Sequence, residues 1–256
     1  MKNFENFTER KDTRNIDENT FNELLNENCK EFNFDDLAIY RGVALSEEYY
    51  LIDPKLFTRT SRSTQNYYTL IMSESPYWKN IPPRNKSIIC TFNKNLSGGY
   101  GNTYRVIPYD NSKWGVSKTW IKIFHRGVNL MDVNEYLDDI FKSMNVTLVS
   151  TNYEIMMSQF NFYSDEFLKL TDNKIGMNPS RGIVFDKIRR LMNDKNIKLD
   201  QAMLEYLKPN ENILSCSYKK LINRWNKRQL HLQLNEGCEL WTDSKCLLQR
   251  IKKSVE

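Results

Sequence analysis

Apolar positions along the chain follow two different rules. Leu37 to Val43, Ile88 to Phe92 and Tyr104 to Pro108 are short apolar runs of strand length, closed by glycine or proline, and they predict β-strands. Val116 to Phe124 fits a further strand. From about 128 to 235 the spacing turns helical. Met131 to Met144, Ile155 to Leu170, Ile183 to Asn193, Leu199 to Leu207 and Tyr218 to Leu230 each read as a helix; in the first, Val133, Leu137, Ile140, Phe141 and Met144 fall on one stripe. Glu239 to Trp241 and Cys246 to Ile251 return to strand character.

Near the N-terminus, residues 1 to about 20 are polar without periodicity and read as a loose arm, and Phe21 to Cys29 has helical spacing. A hydroxyl-rich basic stretch, Phe57 to Tyr68, leads into a helical Thr69 to Met72, and Pro76, Pro82 and Pro83 end that segment.

Isolated terminal strands need a sheet to pair with. The expected class is therefore α+β: an N-terminal arm and helix over 1–36, then one domain over 37–256. In that domain a split β-sheet core is interrupted by a large helical insertion, about 128–235, before its last strands.

Composition narrows the chemistry. The 256 residues are 40% hydrophobic and 27% charged, with a formal net charge of +5. That is a globular composition with material for a core, and the charge is too diffuse to announce a nucleic-acid binder. No apolar run approaches the roughly 18 residues of a membrane span, so no membrane partner is expected. No secretory signal is visible at the first residues, and a cytoplasmic location is expected. Five scattered cysteines and two histidines, His125 and His231, offer neither a disulfide framework nor a zinc knuckle, so no metal is expected.

Four places carry candidate chemistry. Arg41 ends an apolar strand beside Gly42, where a guanidinium fork can bind phosphate oxygens in two-pronged fashion. Cys90 and Thr91 end a second strand and face the glycine-rich Gly98-Gly99-Tyr100-Gly101. Glu239 lies between apolar residues of a third strand. Ser61, Arg62, Ser63 and Tyr67 combine donors with an aromatic face suited to a nucleotide; the same stretch also reads as a capped helix start.

The order of these groups resembles the ADP-ribosyltransferase superfamily of the arginine–serine–glutamate type. Ile39-Tyr40-Arg41-Gly42 resembles its first catalytic strand. Ile89-Cys90-Thr91-Phe92, with Gly98-Gly99-Tyr100-Gly101 and Tyr104-Arg105-Val106-Ile107-Pro108, is similar to its second motif, and Gly237-Cys238-Glu239-Leu240-Trp241 to its third. The run from Asn66 through Trp78 and Arg84 to Thr91 also resembles uncharacterised proteins of tailed phages and large DNA viruses, which would place the protein in a host cytoplasm. The likeness spans about residues 37–125 and a patch near 236–250.

The resemblance implies an NAD-dependent transferase that passes ADP-ribose to a macromolecular acceptor, protein or nucleic acid, with NAD as substrate; the alternatives are an NAD glycohydrolase and a catalytically silent binding or virion-associated protein of the same fold. It implies that Arg41, with Tyr40 and Gly42, holds the pyrophosphate or nicotinamide ribose, and that Glu239 receives the ribose 2′-hydroxyl. It implies that Thr91, with Cys90, orders the pocket, and that Tyr100 or Tyr67 stacks on nicotinamide. Cys90 stands where the family's first serine is usual, so the hydroxyl role falls to Thr91, Ser61 or Ser63. Gly237 stands where many relatives carry Gln or Glu.

Overall fold

A computed structural model describes residues 13–59, 66–117, 138–139, 141–172, 179–210, 213–226 and 238–251. These residues form mixed helix and antiparallel sheet, the α+β composition expected, and they fall into two units. The first takes the described residues up to Arg59, from Asn80 to Ser117 and from 213 onward; the second takes those from 66 to Lys79 and from 138 to 210.

The first unit is built from nine strands in two antiparallel sheets. Strands β1 (Thr13–Asn15), β3 (Tyr49–Ile52), β9 (Cys246–Arg250), β5 (Asn102–Pro108) and β2 (Ile39–Val43) lie side by side in that order. The second sheet runs β4 (Ile88–Cys90), β8 (Glu239–Thr242), β6 (Lys113–Ser117), β7 (Leu214–Ser217).

Strand alternation builds the layers. On β5, Val106 joins the large core and Ile107 a smaller one; on β9, Leu248 and Leu247 divide in the same way. The large core collects Ile39, Val43 and Tyr104 from the first sheet and Ile88, Cys90, Trp114, Val116 and Leu240 from the second, so the two sheets face each other across it. Helix α8 (Tyr218–Asn226) adds Tyr218, Leu221 and Ile222. The smaller core covers the other face of the first sheet with Phe21 and Cys29 from helix α1 (Glu18–Asn28) and its flank. Asp17 caps α1 by accepting the Thr20 amide at 2.8 Å.

The second unit is helical: α2 (Tyr67–Glu74), α4 (Tyr153–Phe162), α5 (Ser164–Asp172), α6 (Pro179–Lys195) and α7 (Leu199–Tyr206). Tyr67, Ile71, Trp78, Met156, Phe160, Ile188, Ala202 and Tyr206 are buried. On its surface Glu205 accepts hydrogen bonds from the Tyr77 hydroxyl and from Lys195 and Lys208, which hold its carboxyl down at about 2.

Several expectations need adjusting. The stretch read as a loose arm contains β1 and the first turn of α1. The helix expected over 155–170 is two helices broken at Tyr163. There the Ser164 hydroxyl donates to the Phe160 carbonyl (3.0 Å) and accepts the Leu199 amide (3.0 Å), which ties the start of the second helix to the start of α7. Helix α2 belongs with the helical unit, whereas β7 and α8, inside the span read as insertion, belong with the sheets. Residues 118–124 and most of the helix expected over 131–144 lie outside the described residues.

Candidate active site

Three neighbouring strands carry the motif residues. Where β4 ends, Thr91 forms a bridge with Tyr40 of β2: the Tyr40 amide donates to the Thr91 carbonyl at 2.7 Å, and the Thr91 amide to the Tyr40 carbonyl at 2.9 Å. On its other side β4 pairs with β8 in the register Ile88–Thr242, Ile89–Trp241, Cys90–Leu240. The β4–β8 pairing ends there, one residue short of Thr91 on one strand and of Glu239 on the other. On the far side of β8, Ser117 of β6 is the direct partner of Glu239. Directly opposed residues of an antiparallel pair share a face. Glu239 and Ser117 therefore share the outer face of the second sheet, and Thr91, next to the inward Cys90, alternates onto that side as the bridge partner of Tyr40.

The same rule separates Arg41 from that side. It alternates with Tyr40 and shares the inner face with Ile39 and Val43, opposite the buried Tyr104. Its Nη1 donates to the Ile89 carbonyl at 2.8 Å, crossing onto the β4 backbone. Cys90 also lies on the inner face, opposite Leu240. It is thus beside Arg41 and not beside the carboxylate. Burial pushes the Cys90 thiol up to about 12, against the opposing pull of the Arg41 and Arg59 guanidiniums.

All five cysteines are buried and none is in a disulfide. Burial likewise takes Cys29 and Cys238 to about 12 and raises Cys246. We therefore expect the native protein at pH 8 to react with a disulfide-exchange reagent at only a small fraction of the five equivalents that the unfolded chain gives at once. Rapid native labelling of Cys90 would mean that the thiol is open to solvent.

The carboxylate's partner is Arg84, which the motif reading did not select. Both of its terminal nitrogens bind Glu239, Nη1 to Oε1 and Nη2 to Oε2, the latter at 3.1 Å. The two side chains are 6% and 16% exposed, so the pair is largely dry. The Arg84 guanidinium also sits over the Trp241 ring, 5.9 Å from its centroid. Arg84 lies in a 3-10 turn, Arg84–Lys86, within the segment that covers this sheet face. A basic run after two prolines reads as a solvated turn. Its only signal was that a strand carboxylate between apolar residues needs a counter-charge.

Gly42 is explained by packing. A Cβ there would lie 1.7 Å from the Ser97 carbonyl oxygen of helix α3 (Lys94–Gly98), which rests on β2. Tyr100 follows α3 and is 78% exposed. The Thr91 hydroxyl oxygen accepts the Asn93 amide at 3.1 Å, and Asn93 caps α3. Tyr67 belongs to the helical unit; it is buried and its hydroxyl donates to Asp138 Oδ1 at 2.9 Å. Ser61, Arg62, Ser63 and Gly237 lie outside the described residues.

Among the described residues no group of three or more His, Cys, Asp or Glu is placed to hold a metal ion, and no helix is long and apolar enough to cross a membrane. No family model, curated protein or solved structure matches the chain.

Proposed function

We propose that the protein is an NAD-dependent ADP-ribosyltransferase that passes ADP-ribose to a protein or nucleic-acid acceptor. The observation that supports this most is the adjacency of the three motif strands. The Arg41 strand bridges the Thr91 strand, which pairs with the Glu239 strand, so parts of the chain nearly 200 residues apart border one face.

The chemistry asked of this site is modest in kind. The bond from ribose C1′ to the nicotinamide nitrogen breaks and its electron pair leaves with neutral nicotinamide. Positive charge develops on C1′ and the ring oxygen, and an acceptor heteroatom then bonds to C1′ and gives up its proton. Glu239 accepts the ribose 2′-hydroxyl and stabilises the developing cation. A fixed carboxylate in a site with little water lowers such a barrier by about 3–4 kcal/mol. Binding to Arg84 leaves each carboxylate oxygen a further lone pair for this contact. Arg41 lies on the inner face with its guanidinium on the Ile89 carbonyl, so this reading rests on Glu239 and not on Arg41.

Incubation with NAD labelled on the adenylate half tests this. Nicotinamide release with label on protein or nucleic acid is the expected result. Free ADP-ribose alone would mean water is the acceptor. Unchanged NAD at millimolar concentration, with no shift in melting temperature, would overturn the proposal.

A further inference from the structure

The outer face of the second sheet is organised around one ion pair. On the inner face Cys90, Leu240 and Val116 bury apolar surface. A chain that only needed to cover the outer face would do the same, because a buried ion pair stabilises no better than well-packed apolar residues and often less well. Here the face carries instead Arg84 and Glu239, joined through both arms of the fork.

The support beneath Arg84 is rigid at each step. Trp241 is two residues from Glu239 on β8 and so projects from the same face. Its ring fills the space over Gly115, where a Cβ would lie 2.3 Å from Trp241 Cε2. Its Nε1 donates to the Pro82 carbonyl at 2.9 Å, tying β8 to the segment that bears Arg84. The same segment is held at its start by the Ser215 hydroxyl, which donates to the Asn80 carbonyl at 2.7 Å. At its end the Ser87 hydroxyl donates to the Pro83 carbonyl at 2.8 Å. Arg84 is thus fixed in plane by the Trp241 ring and in position by the pinned turn.

We propose that Arg84 is the positioning residue of the site: through its two-pronged bond it fixes the plane of the Glu239 carboxylate on a platform made by Trp241 and Gly115. The role given to Glu239 rests on the transferase reading. Arg84 touches neither NAD nor the acceptor and acts through Glu239 alone. Ser117 is the direct partner of Glu239 on the neighbouring strand β6. Lysine is no equivalent of arginine here, because an ammonium is a point charge that cannot fix a carboxylate plane.

The test is a double-mutant cycle in the full chain with Arg84→Gln, Glu239→Gln and both together, alongside Arg84→Lys. Melting temperature is read without any ligand. Each single change should lower it, and the double variant should lose clearly less than the sum of the two. In nicotinamide release Arg84→Gln should reduce kcat about 10- to 100-fold with little change in KM, the mark of a displaced catalytic group. Added to Glu239→Gln it should cause no further loss. Arg84→Lys should keep the melting temperature nearer the parent and still lose kcat; it also serves where Arg84→Gln does not fold.

Additive melting losses, or a parental kcat in Arg84→Lys, would overturn the role of Arg84. A coupled melting cycle in a protein that never releases nicotinamide would overturn the transferase reading and reduce the ion pair to a structural element. The two failures are therefore distinct.

Discussion

Gly42→Ala should destabilise the protein by about 3 kcal/mol or more, whereas Gly98→Ala, in the helix packed against it, should leave stability unchanged or raise it. At Gly42 the new methyl would stand 1.7 Å from the Ser97 carbonyl oxygen and 2.7 Å from its carbon, both backbone atoms that cannot rotate away. Relief requires α3 to lift from β2. That helix is held by the Asn93 amide, which donates to the Thr91 hydroxyl at 3.1 Å, and by the Ser97 hydroxyl, 3.1 Å from that of Thr103 on β5. Lifting it disturbs both anchors. At Gly98 a Cβ would meet only Thr103 Oγ1 at 3.9 Å, an ordinary contact, and alanine is the better helix former. For a chain of this size the Gly42 change corresponds to a melting temperature lower by roughly 6–12 °C. A Gly42→Ala protein melting with the parent would mean that α3 does not rest on β2 as described.

The same contact shows what sequence reasoning reached and what it did not. Strands β2, β4, β5, β8 and β9 were legible because each carries a concentrated apolar run. Strands β1 and β7 were not: Thr13-Arg14-Asn15 and Leu214-Ser215-Cys216-Ser217 have little strand propensity, and their register comes from β3 and β6. Strand β3, Tyr49-Tyr50-Leu51-Ile52, carries as concentrated an apolar run as the legible strands and was missed all the same.

Within the site, motif order led to Thr91 and Glu239, which flank the end of the β4–β8 pairing, and to Arg41, whose strand is adjacent but whose side chain leaves by the inner face. Pleat parity decides that difference, and it depends on which residue of β2 bridges Thr91, a tertiary fact. Arg84 and Ser117 were invisible for a related reason. Arg84 lies in the run that resembles phage and viral proteins but carries no role there, Ser117 belongs to no motif, and both gain their place from strand pairing and the path of the turn over the sheet. Gly42 was legible as a glycine beside an arginine, but its cause, a helix carbonyl against its Cα, belongs to the packing.

Glu239→Gln should lower the rate of nicotinamide release by about 10²- to 10³-fold, the loss expected when one aimed electrostatic group is removed from a developing charge. The change keeps side-chain volume and a hydrogen-bond acceptor, so NAD affinity should move little. The loss should appear in kcat, because a carboxylate that meets a cation forming in the transition state contributes least to the ground state. The substitution has a second effect that must be separated from the first. It leaves the Arg84 guanidinium, 6% exposed, without its anionic partner, and breaking a buried pair on one side costs about 3–5 kcal/mol. Removing Glu239 by alanine adds a cavity to that loss. Rates are therefore to be compared per folded molecule, well below the melting transition of each variant. A Glu239→Gln protein that is folded, binds NAD and releases nicotinamide at the parental rate would remove Glu239 from the chemistry. One that is folded and inert, with NAD affinity intact, would place the carboxylate at the bond that breaks.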